Sequence, residues 1–308
     1  MKKLSFDPEA ILEKYKPDFA MVYGSGAFEQ EGYDKNDQPM IDFIWGVLET
    51  KDWHNLQLAQ NPQDYSLLAR MLGHKVLKIL QDQGAGIYYH PYVDFEDDLG
   101  YREIKYGVIS IEDLKKDLLE WTTLYCAGRL QKPVEILQTT TDVRWAIQKN
   151  LKHALSTALL LLPGNFTPEE LFITIAGLSY TGDTRMKHAE NPRKIENIVT
   201  KNQDAFAELY KSAIEQRWNI LKIGEGQDYF ERESSPRTQS ELHSQLPENL
   251  RDKTDFAENP HELAENIRTA IADIVRGPSL SQSIKGIFSA GPIKSARYLR
   301  EKRAKAKQ

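Results

Sequence analysis

The sequence predicts an α+β chain: a mixed region of strands and helices, then a mostly helical region, then a helical and basic tail. Three observations predict this. Short strand-like runs, "FAMVY", "MIDFIWGV" and "REIKYGVIS", punctuate the first 111 residues, with helical patterns between them. From 112 to 224 the apolar residues recur at helical spacing. From Pro260, helical periodicity (Leu263, Ile267, Ile271, Ile274) leads to Gly277-Pro278 and a run rich in Lys and Arg.

The first helix is predicted over 7–15, with Asp7 as N-cap, Pro8 at the first helical position, and Ile11, Leu12 and Tyr15 on one face. Strands at 19–23 and 40–47, a helix over about 64–82, and strands at about 86–95 and 103–109 complete a first domain, 1–111. The second domain, 112–224, opens with Ser110 before acids and with Leu114, Leu118, Trp121 and Tyr125 at helical spacing. Within it, Thr167 and Pro168 start another helix. Polar, Gly/Pro/Ser-broken sequence at about 225–258 predicts a loop or linker, and 225–308 forms the third part. Gly286 and Gly291-Pro292 argue against one unbroken helix in the basic tail.

The 308 residues are 40% hydrophobic and 28% charged, enough for a sizeable core. The single cysteine, Cys126, excludes an intramolecular disulfide framework and reads as a small buried residue. The longest apolar run, Ala154 to Leu162, stops at Pro163-Gly164, too short to span a bilayer. The N-terminus has no signal-peptide or transit-peptide pattern. Residues 285–308 hold eight Lys/Arg and one acid, +7, which leaves −12 elsewhere in a chain of net charge −5. The acidic body disfavours nucleic acid; the tail suits a polyanionic surface.

Glycines in "YGSG" (Tyr23, Gly24, Ser25, Gly26) let backbone amides approach a phosphate, although a plain tight turn explains them equally well. Glu29 stands where a dinucleotide fingerprint needs its third glycine, and no Gly-Lys-Ser/Thr follows. Asp42 lies mid-strand, where a carboxylate needs a partner or a metal. A strand, a Gly-Ser turn and an acid on the neighbouring strand follow the site logic of polymerase-β-like nucleotidyltransferases. There the turn holds the triphosphate and sheet acids hold Mg²⁺. The usual second acid is missing: Met40 and Ile44 flank Asp42, leaving Asp37, Asp94 and Glu103 as candidates. Glu103 and Lys105 share a strand face, and Lys105 suits a pyrophosphate leaving group. Taken alone, that lysine reads as an edge-strand lysine in solvent.

The series "VYGSGAFEQ", "MIDFI", "IKYGVIS", "YCAGRLQKPV", "LFITIAGLSYTGDTRM" and "SIKGIFSAG" resembles, in order from Tyr23 to about Gly291, the mitochondrial-type phosphatidate cytidylyltransferases. These are also known as mitochondrial translocator assembly and maintenance proteins. The resemblance implies a nucleotidyltransferase domain, a winged-helix-like domain, a C-terminal region that meets the membrane, and Mg²⁺-dependent conversion of CTP and phosphatidic acid to CDP-diacylglycerol and pyrophosphate. It implies catalytic roles for Asp42, as metal ligand, and Lys105. It implies nucleotide binding by Tyr23, Gly24, Ser25, Gly26, Lys132 and Asp183, and phosphate binding by Arg129 and Arg185.

A lipid substrate suits the tail, where Ile284, Lys285, Ile287 and Phe288 form an interfacial pattern; a solvated basic terminus is the equal alternative. The expected location is peripheral, on the cytoplasmic face of a bacterial membrane or the matrix face of the mitochondrial inner membrane. Another acceptor (RNA or protein), or a non-catalytic role as a membrane-associated assembly factor, are the rival functions. His54 and His74 read as packing or capping residues, and no His/Cys group has zinc spacing.

Overall fold

The structure, a computed structural model, describes residues 4, 6–24, 40–183, 193–224, 226 and 228–305; at 283, 284 and 286–305 it describes only the helical backbone. Two compact units interleave along the chain. The first comprises Met1–Leu114, Val134–Arg144 and Leu280–Lys305; the second comprises Lys115–Pro133 and Trp145–Ser279.

In the first unit, helix α1 (Pro8–Tyr15) starts where expected, the Asp7 carboxylate accepting from the Glu9 amide. Strands β1 (Phe19–Tyr23) and β2 (Ile41–Val47) follow, then helices α2 (Thr50–Gln60) and α3 (Leu67–Gln81), then strands β3 (Tyr88–Asp97) and β4 (Gly100–Ser110). Helix α2 is unforeseen: it has little amphipathic pattern, and Trp53, His54 and Gln57 are buried on it. Strand β5 (Glu135–Gln138), also unforeseen, returns to complete a five-stranded sheet in the order β3-β4-β2-β1-β5. All pairs are antiparallel except β2 with β4, which run parallel.

Alternation gives the sheet two distinct faces. Ile41, Phe43, Trp45 and Val47 of β2 join Val22, Ile104, Tyr106, Val108 and the Ile11 and Tyr15 side chains of α1 in one core. The Tyr106 ring stacks on Trp45 at 3.9 Å and on His90 at 4.4 Å. The hydroxyls of Tyr15 and Tyr106 both donate to Asp64 Oδ2, so the buried carboxylate has partners. The opposite face carries Tyr23, Asp42, Lys105 and Tyr89.

Helix α4 (Ile111–Glu120) links the units, and Ser110 Oγ accepts from the Asp113 amide at its start. The expected run to Tyr125 is cut at Trp121. Asp117 Oδ1 accepts from the amides of Thr123 and Leu124 at 2.8 Å, and Oδ2 from those of Cys126 and Ala127 at 2.9 Å. A carboxylate that offers loop amides this many bonds outcompetes the helix ladder. Trp121 and Leu124 accordingly take positive φ of 56° and 55°.

The second unit continues with α5 (Ala127–Leu130), α6 (Thr141–Leu161), α7 (Pro168–Gly177), α8 (Lys194–Thr200), α9 (Gln203–Glu215), α10 (Pro236–Ser244) and α11 (Glu248–Arg251). Thr167 and Glu170 form a reciprocal capping box at α7, as the Thr-Pro signal predicts. A small antiparallel sheet, β6-β8-β7, unites β6 (Asn165–Phe166), β7 (Leu221–Ile223) and β8 (Phe230–Arg232). The segment expected as linker thus holds a strand and two helices.

Helix α12 (Pro260–Lys305) is continuous, against the expected breaks at Gly286 and Gly291-Pro292, and runs through Gly277-Pro278 as well. Proline removes one backbone donor, but the residue before Pro278 and before Pro292 is a glycine with no Cβ to meet the ring. Cys126 is buried, as expected.

Candidate active site

The parallel register sets Asp42 directly beside Lys105, and the antiparallel register sets Tyr23 on its other side. Lys105 Nζ lies 3.0 Å from Asp42 Oδ1, and the two side chains are 19% and 26% exposed. The pair is therefore partnered yet open to a ligand, which resolves why a carboxylate tolerates mid-strand placement. Gly24, at φ 83°, follows β1; a β-carbon there would stand 3.4 Å from Asp42 Oδ2. With no side chain, its backbone can run close to the carboxylate.

Tyr89 completes this face. Its ring lies across the sheet, 4.8 Å from Lys105 Nζ, and its hydroxyl meets that of Tyr23 at 3.3 Å. Gly107 makes this possible: a β-carbon there would come within 2.7 Å of the Tyr89 ring and 2.6 Å of Ile87. Sequence reading passed over Tyr89 and Gly107. The available signal was a glycine inside a strand, which marks a close approach. Of the alternative acids, Asp94 and Glu103 face each other in register, and Asp94 Oδ1 accepts from the Tyr101 hydroxyl at 2.6 Å. Among the described residues, no group of three or more His, Cys, Asp or Glu is placed to share a metal ion. One partly exposed carboxylate nevertheless suits Mg²⁺, which commonly takes one or two protein carboxylates plus substrate phosphates.

In the second unit, Lys132, expected as a nucleotide ligand, is held by protein oxygens. Its ammonium donates to the Gly128 carbonyl, to Ser179 Oγ at 3.0 Å and to the Ala176 carbonyl at 3.4 Å. Those three acceptors use all its donors, and the lysine ties α5 to the end of α7. Burial, then the charges of Arg129 and Lys194, push its pKa down to about 7. The Tyr180 ring lies 5.2 Å from the Nζ of both Lys132 and Lys194. Arg129 donates to the Tyr125 carbonyl and packs 4.0 Å over the Tyr125 ring.

Asp183 is buried and accepts from the Ser279 hydroxyl at 2.7 Å, so its carboxylate joins the "TGD" turn to α12 rather than facing an open surface. Gly182 permits that contact: at φ 81°, its absent β-carbon would come 2.6 Å from the Ala272 backbone. Lys285, expected at the membrane interface, is only 9% exposed; it donates to the carbonyls of Gln81 and Ile87, and burial pushes its pKa down to about 8. Ser25, Gly26, Asp37, Arg185 and the side chains of Ile284, Ile287 and Phe288 lie outside the described residues.

His54 is a core residue, as expected. Gln81 Nε2 donates to the carbonyls of Gly86 and Val108, which leaves Gln81 Oε1 to accept from His54 Nε2 at 2.9 Å. The imidazole Nδ1 then accepts from the Tyr65 hydroxyl.

The family model described as "Phosphatidate cytidylyltransferase, mitochondrial" matches residues 8–305. A rat protein of that name is 39% identical, covering 94% of this chain and 90% of the relative. A Xenopus laevis protein of that name is 39% identical over 97% of this chain and 91% of its own. A Caenorhabditis elegans protein of that name is 36% identical over 96% of each. The protein is thus an enzyme of the nucleotidyltransferase class. More particularly, the chain belongs to the mitochondrial phosphatidate cytidylyltransferase family.

Proposed function

We propose that this protein transfers the cytidylyl group of CTP to phosphatidate at a membrane surface, forming CDP-diacylglycerol and releasing pyrophosphate. One observation carries the reading: in a member of this family, a partly exposed Asp42–Lys105 pair lies beside the backbone of Gly24. A phosphate oxygen of phosphatidate attacks the α-phosphorus of CTP. The new P–O bond forms as the bond to the β-phosphate breaks. The nucleophile is already anionic near neutral pH, so positioning and charge neutralisation matter more than a general base. Gly24 and the turn it begins receive the triphosphate, and Lys105 neutralises charge on the departing pyrophosphate. Asp42 would hold Mg²⁺, which when bound supplies charge neutralisation to the triphosphate. Tyr23 and Tyr89 wall the same face. Arg129 and Arg185 keep their proposed role toward substrate phosphates.

Among the described residues no helix is long and apolar enough to cross a membrane. The relatives are mitochondrial by name. A peripheral association with an anionic membrane face, mitochondrial matrix or bacterial cytoplasmic, belongs to the proposal. The deciding experiment supplies phosphatidate in mixed micelles, Mg²⁺ and each nucleoside triphosphate in turn. CTP-dependent CDP-diacylglycerol, absent in Asp42→Ala, supports the reading. No lipid product with any nucleotide would overturn it in favour of another acceptor or a non-catalytic role.

A further inference from the structure

The segment "LLARMLGHKVLKILQ", helix α3, is apolar and basic without a single acid, in a chain whose net charge is −5. Its inner side is anchored: Ala69 and Leu77 pack with Tyr65 and Tyr88. Its outer side is unusual. Leu67, Leu68, Met71 and Leu72 are all exposed, Leu67 to 76% and Met71 to 84%. Positions 67, 68, 71 and 72 form one stripe on a helix; the exposed Arg70, whose Nε donates to the Tyr65 carbonyl at 3.1 Å, lies beside it, and the exposed Lys75 follows just past Gly73. A cluster of large apolar side chains in water is a contact surface more often than an accident.

The helix is also broken within. Gly73 has φ 72° and ψ 171°, a conformation essentially confined to glycine, with nothing within 4 Å of its absent side chain. The first turn and a half, Leu67 to Leu72, is therefore set apart from the rest of the helix and carries the exposed apolar stripe.

We propose that this stub of α3 is a membrane-docking wedge, its leucines and Met71 entering the acyl boundary of an anionic bilayer and Arg70 and Lys75 lying at the headgroups. Apolar side chains in the interface with basic residues at their edge are the pattern of an in-plane interfacial helix. The occupant follows from charge and apolarity together: a run with basic residues, no acids and exposed leucines complements an anionic lipid surface. The inference rests on the reading that the substrate is a membrane lipid, and it adds a second contact, on the first unit, to the basic tail.

The test uses the full chain with Met71→Cys carrying a polarity-sensitive fluorophore; the native Cys126 is buried. The protein is mixed with phosphatidylcholine vesicles with and without phosphatidate. The expected result is a blue shift, and quenching by brominated acyl chains, with the phosphatidate vesicles. Leu67→Gln/Leu68→Gln should lower vesicle affinity by about tenfold or more while turnover of a dispersed short-chain phosphatidate stays unchanged. A label that stays water-like while the protein floats with vesicles overturns the proposal. So does a label that shifts on raising protein concentration without lipid, which would make the stripe a self-interface. If short-chain phosphatidate is not a substrate, the functional reading fails, and the fluorescence still decides the docking face.

Discussion

Gly107 is the floor on which the Tyr89 ring lies. Any β-carbon at 107 would stand 2.7 Å from that ring, so the glycine and the aromatic are one device, and the device covers Lys105. Gly107→Ala must displace Tyr89, a crowding that costs about 1–3 kcal/mol in stability. Turnover should fall with it. Gly107→Ala/Tyr89→Ala, which removes the obstructed ring and leaves only the flexible end of Ile87 to give way, should recover part of the lost stability and leave turnover low. Thermal melts of the two variants and the double mutant decide the point; no recovery in the double mutant would refute the pairing.

The Asp42–Lys105 pair should behave as machinery and not as a brace. Its side chains are partly exposed, so its contribution to folding is modest. Asp42→Asn and Lys105→Met should each reduce turnover on the order of 10²–10³-fold while shifting the melting temperature little. A large melt shift with nearly normal specific activity would reverse the assignment.

Lys132 should show the opposite balance. Its ammonium is used by Gly128, Ala176 and Ser179. Lys132→Met leaves those oxygens without the donor and should cost about 1–3 kcal/mol. Nucleotide affinity, measured by calorimetry, should change less than for Lys105→Met. A lost nucleotide affinity with an unchanged melt would restore the direct role.

Burial lowers the His54 pKa from its ordinary value of 6.5 to about 4, ahead of the opposing bond to Gln81. Between those two values the unfolded chain binds the proton and the folded one does not. Stability therefore falls as pH drops from 6.5 toward 4, by on the order of 3 kcal/mol in all. His54→Gln should flatten that part of a melting-temperature profile against pH. An unchanged slope in the variant would assign the acid sensitivity to other groups.

Asp117 should be a folding determinant. Asp117→Asn turns an amide donor toward the Cys126 and Ala127 N–H groups or toward those of Thr123 and Leu124. Buried donors facing a donor cost about 1–3 kcal/mol each, so a loss of about 3 kcal/mol or more is expected in denaturant titration. Hydrogen exchange at 121–127 should accelerate as well.

Much of this protein was determined by short-range sequence. Asp7 with Pro8 and Thr167 with Pro168 start helices because a capping side chain and a fixed φ act within a few residues. The run "MIDFIWGV" already marked Asp42 as a lone carboxylate in an apolar strand that needs a partner, and the motif series pointed to the family to which the chain belongs. Tertiary structure alone decided the partners. Asp42 meets Lys105, 63 positions on in the chain, because β2 and β4 run parallel. Tyr89 reaches Lys105 only across the space left at Gly107. Asp117, Lys132 and Lys285 were legible as charges but not in their roles, because each is satisfied largely by backbone amides or carbonyls. Every residue but proline carries the same N–H and C=O, so such a partner leaves no mark in the sequence and is chosen only when the chain folds.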